Sequence, residues 1–144
     1  MVLSVRRLTP SSRLPTRSYE GDAGFDLYAD VDARLEPGRR ASVGTGIAVE
    51  VPQRHAGLIL PRSGLAARHG IALANAPGLI DAGYRGELQV LLLNTDREHA
   101  FAISAGDRIA QLVLVKVETP DILEVSELED SQRGERGLGS SGSS

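Results

Sequence analysis

The 144-residue chain has no cysteine and no tryptophan, one methionine, three tyrosines and two phenylalanines. Without cysteine there can be no disulfide framework, no thiolate metal site and no cysteine nucleophile. With so few rings the core has to be built from Leu, Val, Ile and Ala, and each of Tyr19, Phe25, Tyr28, Tyr84 and Phe101 becomes a position to account for. No apolar run approaches the roughly 18 residues of a membrane span, which excludes an integral helical membrane protein. A dominant charge is missing too: 16 basic against 19 acidic residues leave a net charge of −3. Such a chain has no overall field to gather nucleic acid or anionic lipid, so any anion must be held by local groups. Lysine is nearly absent, Lys116 being the only one. The arginines reflect first a GC-rich coding bias and second a preference for forked phosphate donors. The opening MVLSVRRL is too short in apolar residues for a signal-peptide core and carries its arginines after them, so a cytoplasmic location is expected, with no membrane association and no stable nucleic-acid binding.

What is present fits one domain. At 15.3 kDa the chain is large enough to bury about two-thirds of its unfolded surface. Short apolar segments at 47–51, 58–60, 71–74, 88–93 and 109–117 alternate with Gly, Pro, Asn and Asp clusters, an all-β pattern. In the last of them Ile109, Gln111, Val113, Val115 and Val117 share one face and Ala110, Leu112, Leu114 and Lys116 the other. Two largely apolar faces place that strand in the middle of a sandwich or barrel. Only 63–70 reads as a helix, with Ser63 as N-cap and Gly70 as the left-handed C-terminal residue. From Glu118 onward acids accumulate, and the chain then ends in glycine and serine. The expected organisation is a β core over 1–117 that includes a hairpin over 75–87, an acidic linker over 118–132, and a flexible Gly/Ser-rich tail over 133–144.

Four segments concentrate polar chemistry. PRSGLA at 61–66 brings together the Arg62 guanidinium, the Ser63 hydroxyl and the backbone N–H groups of a helix start at Gly64, which is how phosphate is held. The same residues serve equally well if Ser63 caps the helix and Arg62 pairs with a surface carboxylate. NAPGLIDAGYRGE at 75–87 reads as a β-hairpin around an Asp-Ala-Gly turn. Asp and Gly serve turn geometry, yet Tyr84 is an exposed ring in a chain poor in them, and Asn75 can pair with an amide-like edge. Asp26, an acid inside an apolar segment, needs a partner or a metal-bound water. The tail RGERGLGSSG at 133–142 is either a solvated terminus or a loop whose arginines and hydroxyls close on an anion. His55, His69 and His99 lack ligand spacing and read as surface residues.

In this order and spacing the segments AGFDL at 23–27, PRSGLA at 61–66, NAPGLIDAGYRGE at 75–87, GDRIAQLVL at 106–114 and RGERGLGSSG at 133–142 resemble the five motifs of the trimeric dUTPase family. The resemblance implies an all-β, jelly-roll-like sandwich or distorted barrel with one short helix, assembled as a homotrimer with its C-terminal tails exchanged. It implies hydrolysis of dUTP to dUMP and pyrophosphate, which keeps uracil out of DNA and supplies dUMP. Asp81 would activate the water that attacks the α-phosphorus. Asn75, with backbone groups at Gly78 and Ile80, would bind the uracil edge, and Tyr84 would pack under the deoxyribose and crowd a 2′-hydroxyl. Arg62, Ser63 and Gly64 would hold phosphates, and Gln111 would contact the α-phosphate region. Mg²⁺, carried mainly by the triphosphate, would be reached by Asp26 through a water. Arg133 would approach the phosphates, with Gly139, Ser140 and Ser141 at the far end of the chain of phosphates. One position departs from the pattern: Leu138 stands where the family usually has an aromatic ring stacked on uracil, and an aliphatic cover gives up about 0.5–1.5 kcal/mol of stacking.

Two other readings belong beside this one. A dCTP deaminase, or a bifunctional deaminase and triphosphatase, shares the fold and needs an acid to activate water at the base, for which Glu87 is the available residue. A non-catalytic β trimer acting as a nucleotide-sensing partner would not need Asp81 or the tail.

Overall fold

The computed structural model describes residues 1–142, so the last two positions of the expected tail, Ser143 and Ser144, lie outside the described residues. The chain forms β1 (Ser4–Arg7), β2 (Phe25–Tyr28), β3 (Ala33–Leu35), β4 (Arg40–Glu50), β5 (His55–Leu60), the helix α1 (Ser63–His69), β6 (Ile71–Leu73), β7 (Gly78–Ile80), β8 (Glu87–Asn94), β9 (Phe101–Ile103) and β10 (Arg108–Lys116). One four-stranded sheet has the order β1-β4-β8-β6, a second has the order β2-β10-β5-β7, and β3 pairs with β9. All the pairings are antiparallel. The architecture is the expected jelly-roll-like sandwich with one short helix; the sheets keep free edges rather than closing into a barrel.

The alternation in β8 shows how sequence sets this arrangement. Leu88, Val90, Leu92 and Asn94 point inward while Gln89 is exposed, as a period of two requires. Asn94 is fully buried, and its amide donates to the carbonyls of Leu35 and His99 at 3.1 and 2.9 Å while its oxygen accepts the Asp96 N–H. A buried polar group with every bond made costs little. The fully buried large side chains, among them Leu27, Leu35, Ile47, Ile71, Leu88, Ile109 and Leu112, are all aliphatic. Phe25 and Phe101 pack at the margin of this core. Strand β10 is buried from Ile109 to Ala110 and at Leu112 and becomes half-exposed over Val113, Leu114 and Val115.

Strand β4 contains a register shift between Gly44 and Ala48, where Gly46 takes a φ of +66°. A Cβ on Gly46 would lie 2.6 Å from Asp30 Oδ2 and 2.8 Å from Ser12 Cβ. Asp30 is itself fixed, accepting the hydroxyls of Thr9 and Ser11 at 2.7 and 2.8 Å. Gly46→Ala is therefore expected to destabilise the fold by at least about 1–2 kcal/mol, the cost of a left-handed conformation before any steric term. Urea unfolding measures this, and an unchanged midpoint would contradict the packing described.

Two local expectations need correction. Arg62, not Ser63, is the N-cap of α1: its backbone is extended (φ −88°, ψ 128°) and no side chain caps the helix. Ser63 already takes a helical position, so its hydroxyl is released from capping. Gly70 does end the helix in the left-handed conformation, with φ 66°. The second correction concerns 75–87, whose arms do not pair with each other. Strand β7 pairs with β5, while β8 pairs with β4 and β6. The Asp-Ala-Gly turn is present, closed by the Tyr84 N–H donating to the Asp81 carbonyl at 3.1 Å, but it carries the chain from one sheet to the other. Leu79 and Ile80 match the strand of the facing sheet, and Leu88, Val90 and Leu92 match the core of their own.

Strand β10 ends at Lys116, and no strand or helix follows among the described residues. In that stretch Ile122, Leu123 and Leu128 are 98%, 82% and 86% exposed, and Val125 is exposed too. These side chains take no part in the core described above. No helix of the described residues is long and apolar enough to cross a membrane.

Candidate active site

The candidate residues of one chain fall in three places. The first lies where β2 meets β10. Asp26, paired in register with Gln111, has its side chain only 15% exposed and stands between two guanidinium groups: Arg62 Nε at 3.6 Å from one oxygen and Arg108 Nη1 at 3.3 Å from the other. Arg62 Nη1 also donates to the Arg108 carbonyl at 3.4 Å. This answers why an acid sits in an apolar segment, since two cations face one anion and leave a net positive charge. Such an edge attracts phosphate, and either arginine can turn to it while the other retains Asp26. The Gln111 amide donates to the Pro61 carbonyl at 3.0 Å and so ties β10 to the loop that presents Arg62, Ser63 and Gly64. Its other amide atom lies against Gly24, where a Cβ would come within 2.5 Å. Ser18, Asp22, Ala23, Gly24, Asp26 and Gln111 line a polar cavity of about 260 Å³ beside this network.

The second place is the turn after β7. Asp81 and Tyr84 are exposed and, with Leu79, Ile80, Glu87 and Gln89, line a cavity of about 230 Å³. Asn75 packs against Gly78 at the start of the same strand, 3.3 Å from where a Cβ would be. The Arg85 guanidinium donates to the carbonyls of Ala82 and Tyr84 at 2.7 and 3.0 Å and pairs with Glu50 at 3.2 Å, which pins the turn to β4. The Glu87 carboxylate accepts the Gly46 N–H at 2.8 Å and the Gln89 amide. It is occupied in joining two strands, which makes it a poor water activator.

The third place is the tail. Arg133 Nε donates to the Arg136 carbonyl at 2.8 Å and Arg136 Nε returns to the Arg133 carbonyl at 2.9 Å. Turns at Gly137 and Gly139, with Gly139 at a φ of +74°, bring the hydroxyls round. Gln132, Arg133, Arg136, Ser140 and Ser141 then line a concavity of about 450 Å³ made of tail residues alone. Leu138 is fully exposed.

These places do not meet within one chain. Ile80 pairs with Gly57 on β5, and Arg62 comes five residues after Gly57, roughly 16 Å at ~3.3 Å per residue. Asp26 is on the β2 edge of the sheet and Asp81 on the β7 edge. Arg62 is turned toward Asp26 and the β2 edge, while Asp81 stands past β7. Sequence reasoning assigned no role to Arg108, although it lies in GDRIAQLVL two positions after a turn glycine; the signal was its place across the sheet from Asp26, which only strand register shows. Arg136 was likewise given no role.

Among the described residues no group of three or more His, Cys, Asp or Glu side chains is placed to hold a metal. Asp26 is a single carboxylate already shared by two arginines, a donor set that fits an ion bringing most of its ligands with it and does not fit an all-protein metal cage.

An exposed carboxylate at Asp81, set apart from the Arg62 and Arg108 guanidinium groups suited to phosphate, fits a hydrolase of phosphorylated compounds. The comparisons with known proteins make the class specific. The family model described as dUTPase matches residues 11–142, and the chain belongs to the dUTPase family. It is 54% identical over 140 residues to the deoxyuridine 5'-triphosphate nucleotidohydrolase of Corynebacterium glutamicum, covering 97% of this chain and 94% of that one. Its identity to the protein of the same name from Thermobifida fusca is also 54%, over 97% of this chain and 78% of the relative. Among solved structures, the dUTPase of Staphylococcus bacteriophage 80alpha with dUPNHPP superposes with a TM-score of 0.91 at 33% identity over 99% of both chains. A mutant dUTPase from phage phi11 of S. aureus, solved to describe coordination of a structural Mg(II) ion, superposes with a TM-score of 0.83 at 30% identity, over 90% of this chain and 100% of that one.

Proposed function

We infer that this chain hydrolyses dUTP to dUMP and pyrophosphate as a homotrimer whose active sites combine groups from different subunits. The observation that supports the shared site is the placement of Asp26, with Arg62 and Arg108 paired to it, on the β2 edge of one sheet and of Asp81 just past its β7 edge, while the tail lines a concavity of its own. Asp81 accepts a proton from water as the water oxygen bonds to the α-phosphorus; the bond from that phosphorus to the bridging oxygen breaks, and pyrophosphate leaves. Arg62, the Ser63 hydroxyl and the Gly64 N–H hold the phosphates as negative charge shifts onto the leaving group, Gln111 contacts the α-phosphate region, and Arg133, Gly139, Ser140 and Ser141 close over the far end. Asn75 and the backbone at Gly78 and Ile80 read the uracil edge, and Tyr84 lies under the sugar.

Asp26 would hold Mg²⁺ through a water, and the ion, carried by the triphosphate, would supply neutralisation of phosphate charge. As the triphosphate arrives, Arg62 turns from Asp26 to phosphate and Arg108 alone keeps the carboxylate oriented. A cytoplasmic enzyme of this kind limits uracil in DNA and provides dUMP. Its organisation is a β core over 1–117, a linker over 118–132 that crosses between subunits, and a tail from 133 that covers a site. Incubation with dUTP and with dCTP, reading pyrophosphate and ammonia separately, tests the activity: pyrophosphate from dUTP without ammonia from dCTP is the expected result. Ammonia release would revive the deaminase reading, against which the engagement of Glu87 with Gly46 and Gln89 already stands. Absence of both products would favour a nucleotide-sensing trimer.

The exposed Leu138 gives a test by gain. Leu138→Trp introduces the only tryptophan of the chain and an aromatic lid, so saturating dUTP analogue is expected to change its fluorescence as the ring stacks on uracil. An unaltered spectrum at saturation would show that this part of the tail does not reach the base.

A further inference from the structure

Tyr84 is held at both ends of its side chain. Its hydroxyl donates to the main-chain carbonyl of Glu87 at 2.9 Å, which folds the ring back over the intervening residues. The residue beneath it is Gly86, where a Cβ would lie 2.6 Å from Tyr84 Cζ, 3.0 Å from Cε2 and closer still to the hydroxyl oxygen. Real Cβ atoms do not approach other carbons this closely. The backbone of Gly86 is outside the left-handed region, so space and not conformation calls for glycine there. Gly83, in the same turn, has nothing within 4 Å of its Cβ position. The acceptor of the latch is fixed as well, because the Glu87 carboxylate is bound to the Gly46 N–H in the β4 bulge.

We propose that Gly86 is a positioning residue for sugar selection: lacking a side chain, it lets the Tyr84 ring settle at the one height that the Glu87 carbonyl fixes, and that height decides whether a ribose 2′-hydroxyl fits. The proposal rests on the reading of Tyr84 as the group beneath the deoxyribose. Tyr84 is 42% exposed, so a methyl group at position 86 displaces the ring outward and leaves the core untouched. The substitution moves the discriminator without unfolding the protein.

The experiment compares kcat/KM for dUTP and UTP in the full-length chain, in Gly86→Ala, Gly83→Ala, Tyr84→Ala and Tyr84→Phe, and in the double variant Gly86→Ala/Tyr84→Ala, with thermal unfolding of each. Gly86→Ala is expected to narrow the dUTP preference by about tenfold or more with little change in melting, and Gly83→Ala to leave the ratio unaltered. Tyr84→Phe, which releases the latch without adding an atom at position 86, is expected to narrow the ratio in the same direction and keeps the idea testable if Gly86→Ala folds poorly. The double variant is expected to match Tyr84→Ala alone, since both changes act through one ring. A parental ratio in Gly86→Ala beside a narrowed one in Tyr84→Ala overturns the role of Gly86, as does additive narrowing in the double variant. An unchanged ratio in Tyr84→Ala removes the tyrosine itself from sugar selection, a separate failure belonging to the reading of the site.

Discussion

Asp81→Asn is expected to lower dUTP turnover by about 10²–10⁴, the usual worth of a positioned general base, while leaving folding and nucleotide affinity close to the parent protein. The expectation follows from where Asp81 stands. Its backbone carbonyl, not its carboxylate, closes the 81–84 turn, and the turn is pinned independently by Arg85 to Ala82, Tyr84 and Glu50. An amide of the same shape therefore fits without rearrangement, and what is lost is the capacity to take a proton from water. The binding groups assigned to uracil and phosphate are elsewhere, so the effect belongs in kcat and not in affinity. Single-turnover kinetics with a binding assay separates the two, and a variant retaining most of its turnover would remove Asp81 from the mechanism.

The second large effect concerns who supplies the tail. Ending the chain at Gln132 deletes Arg133, Ser140 and Ser141, and loss of charge-stabilising donors of this kind costs about 10²–10³ for one donor alone. The truncated homotrimer is expected to be nearly inactive although its Asp81 is sound. The 118–132 linker, at up to ~3.3 Å per extended residue, is long enough to pass to another subunit, and its exposed Ile122, Leu123 and Leu128 are fitted to be covered on the way. Mixed trimers of Asp81→Asn with intact tails and of the truncation with intact Asp81 are expected to regain part of the activity, because some sites then join a sound base to a sound tail. If verified mixed trimers stay as inactive as their parents, each tail serves the Asp81 of its own chain.

Much of this could be read from residue order because the underlying physics is local. The aliphatic segments with a period of two, the glycine that ends α1 and the Asp-Ala-Gly turn are short-range statements, and the structure contains all three. What escaped depends on pairing between distant segments. By composition Ser63 is the N-cap, and only the extended backbone of Arg62 shows that the helix starts one residue earlier. The arms of 75–87 are each good strands, but their partners, β5 for one and β4 with β6 for the other, lie far away in the sequence. Arg108 is one more arginine among many until its guanidinium is found 3.3 Å from Asp26 across 82 residues. The need for glycine at position 86 is invisible for the same reason: it comes from a ring folding back, not from a turn type.

The most direct test of the chemistry is hydrolysis of dUTP in ¹⁸O-labelled water with mass analysis of both products. Attack at the α-phosphorus by water activated at Asp81 predicts one labelled oxygen in dUMP and none in pyrophosphate. Label in pyrophosphate, with dUMP unlabelled, would place the attack on the β-phosphorus and contradict the account.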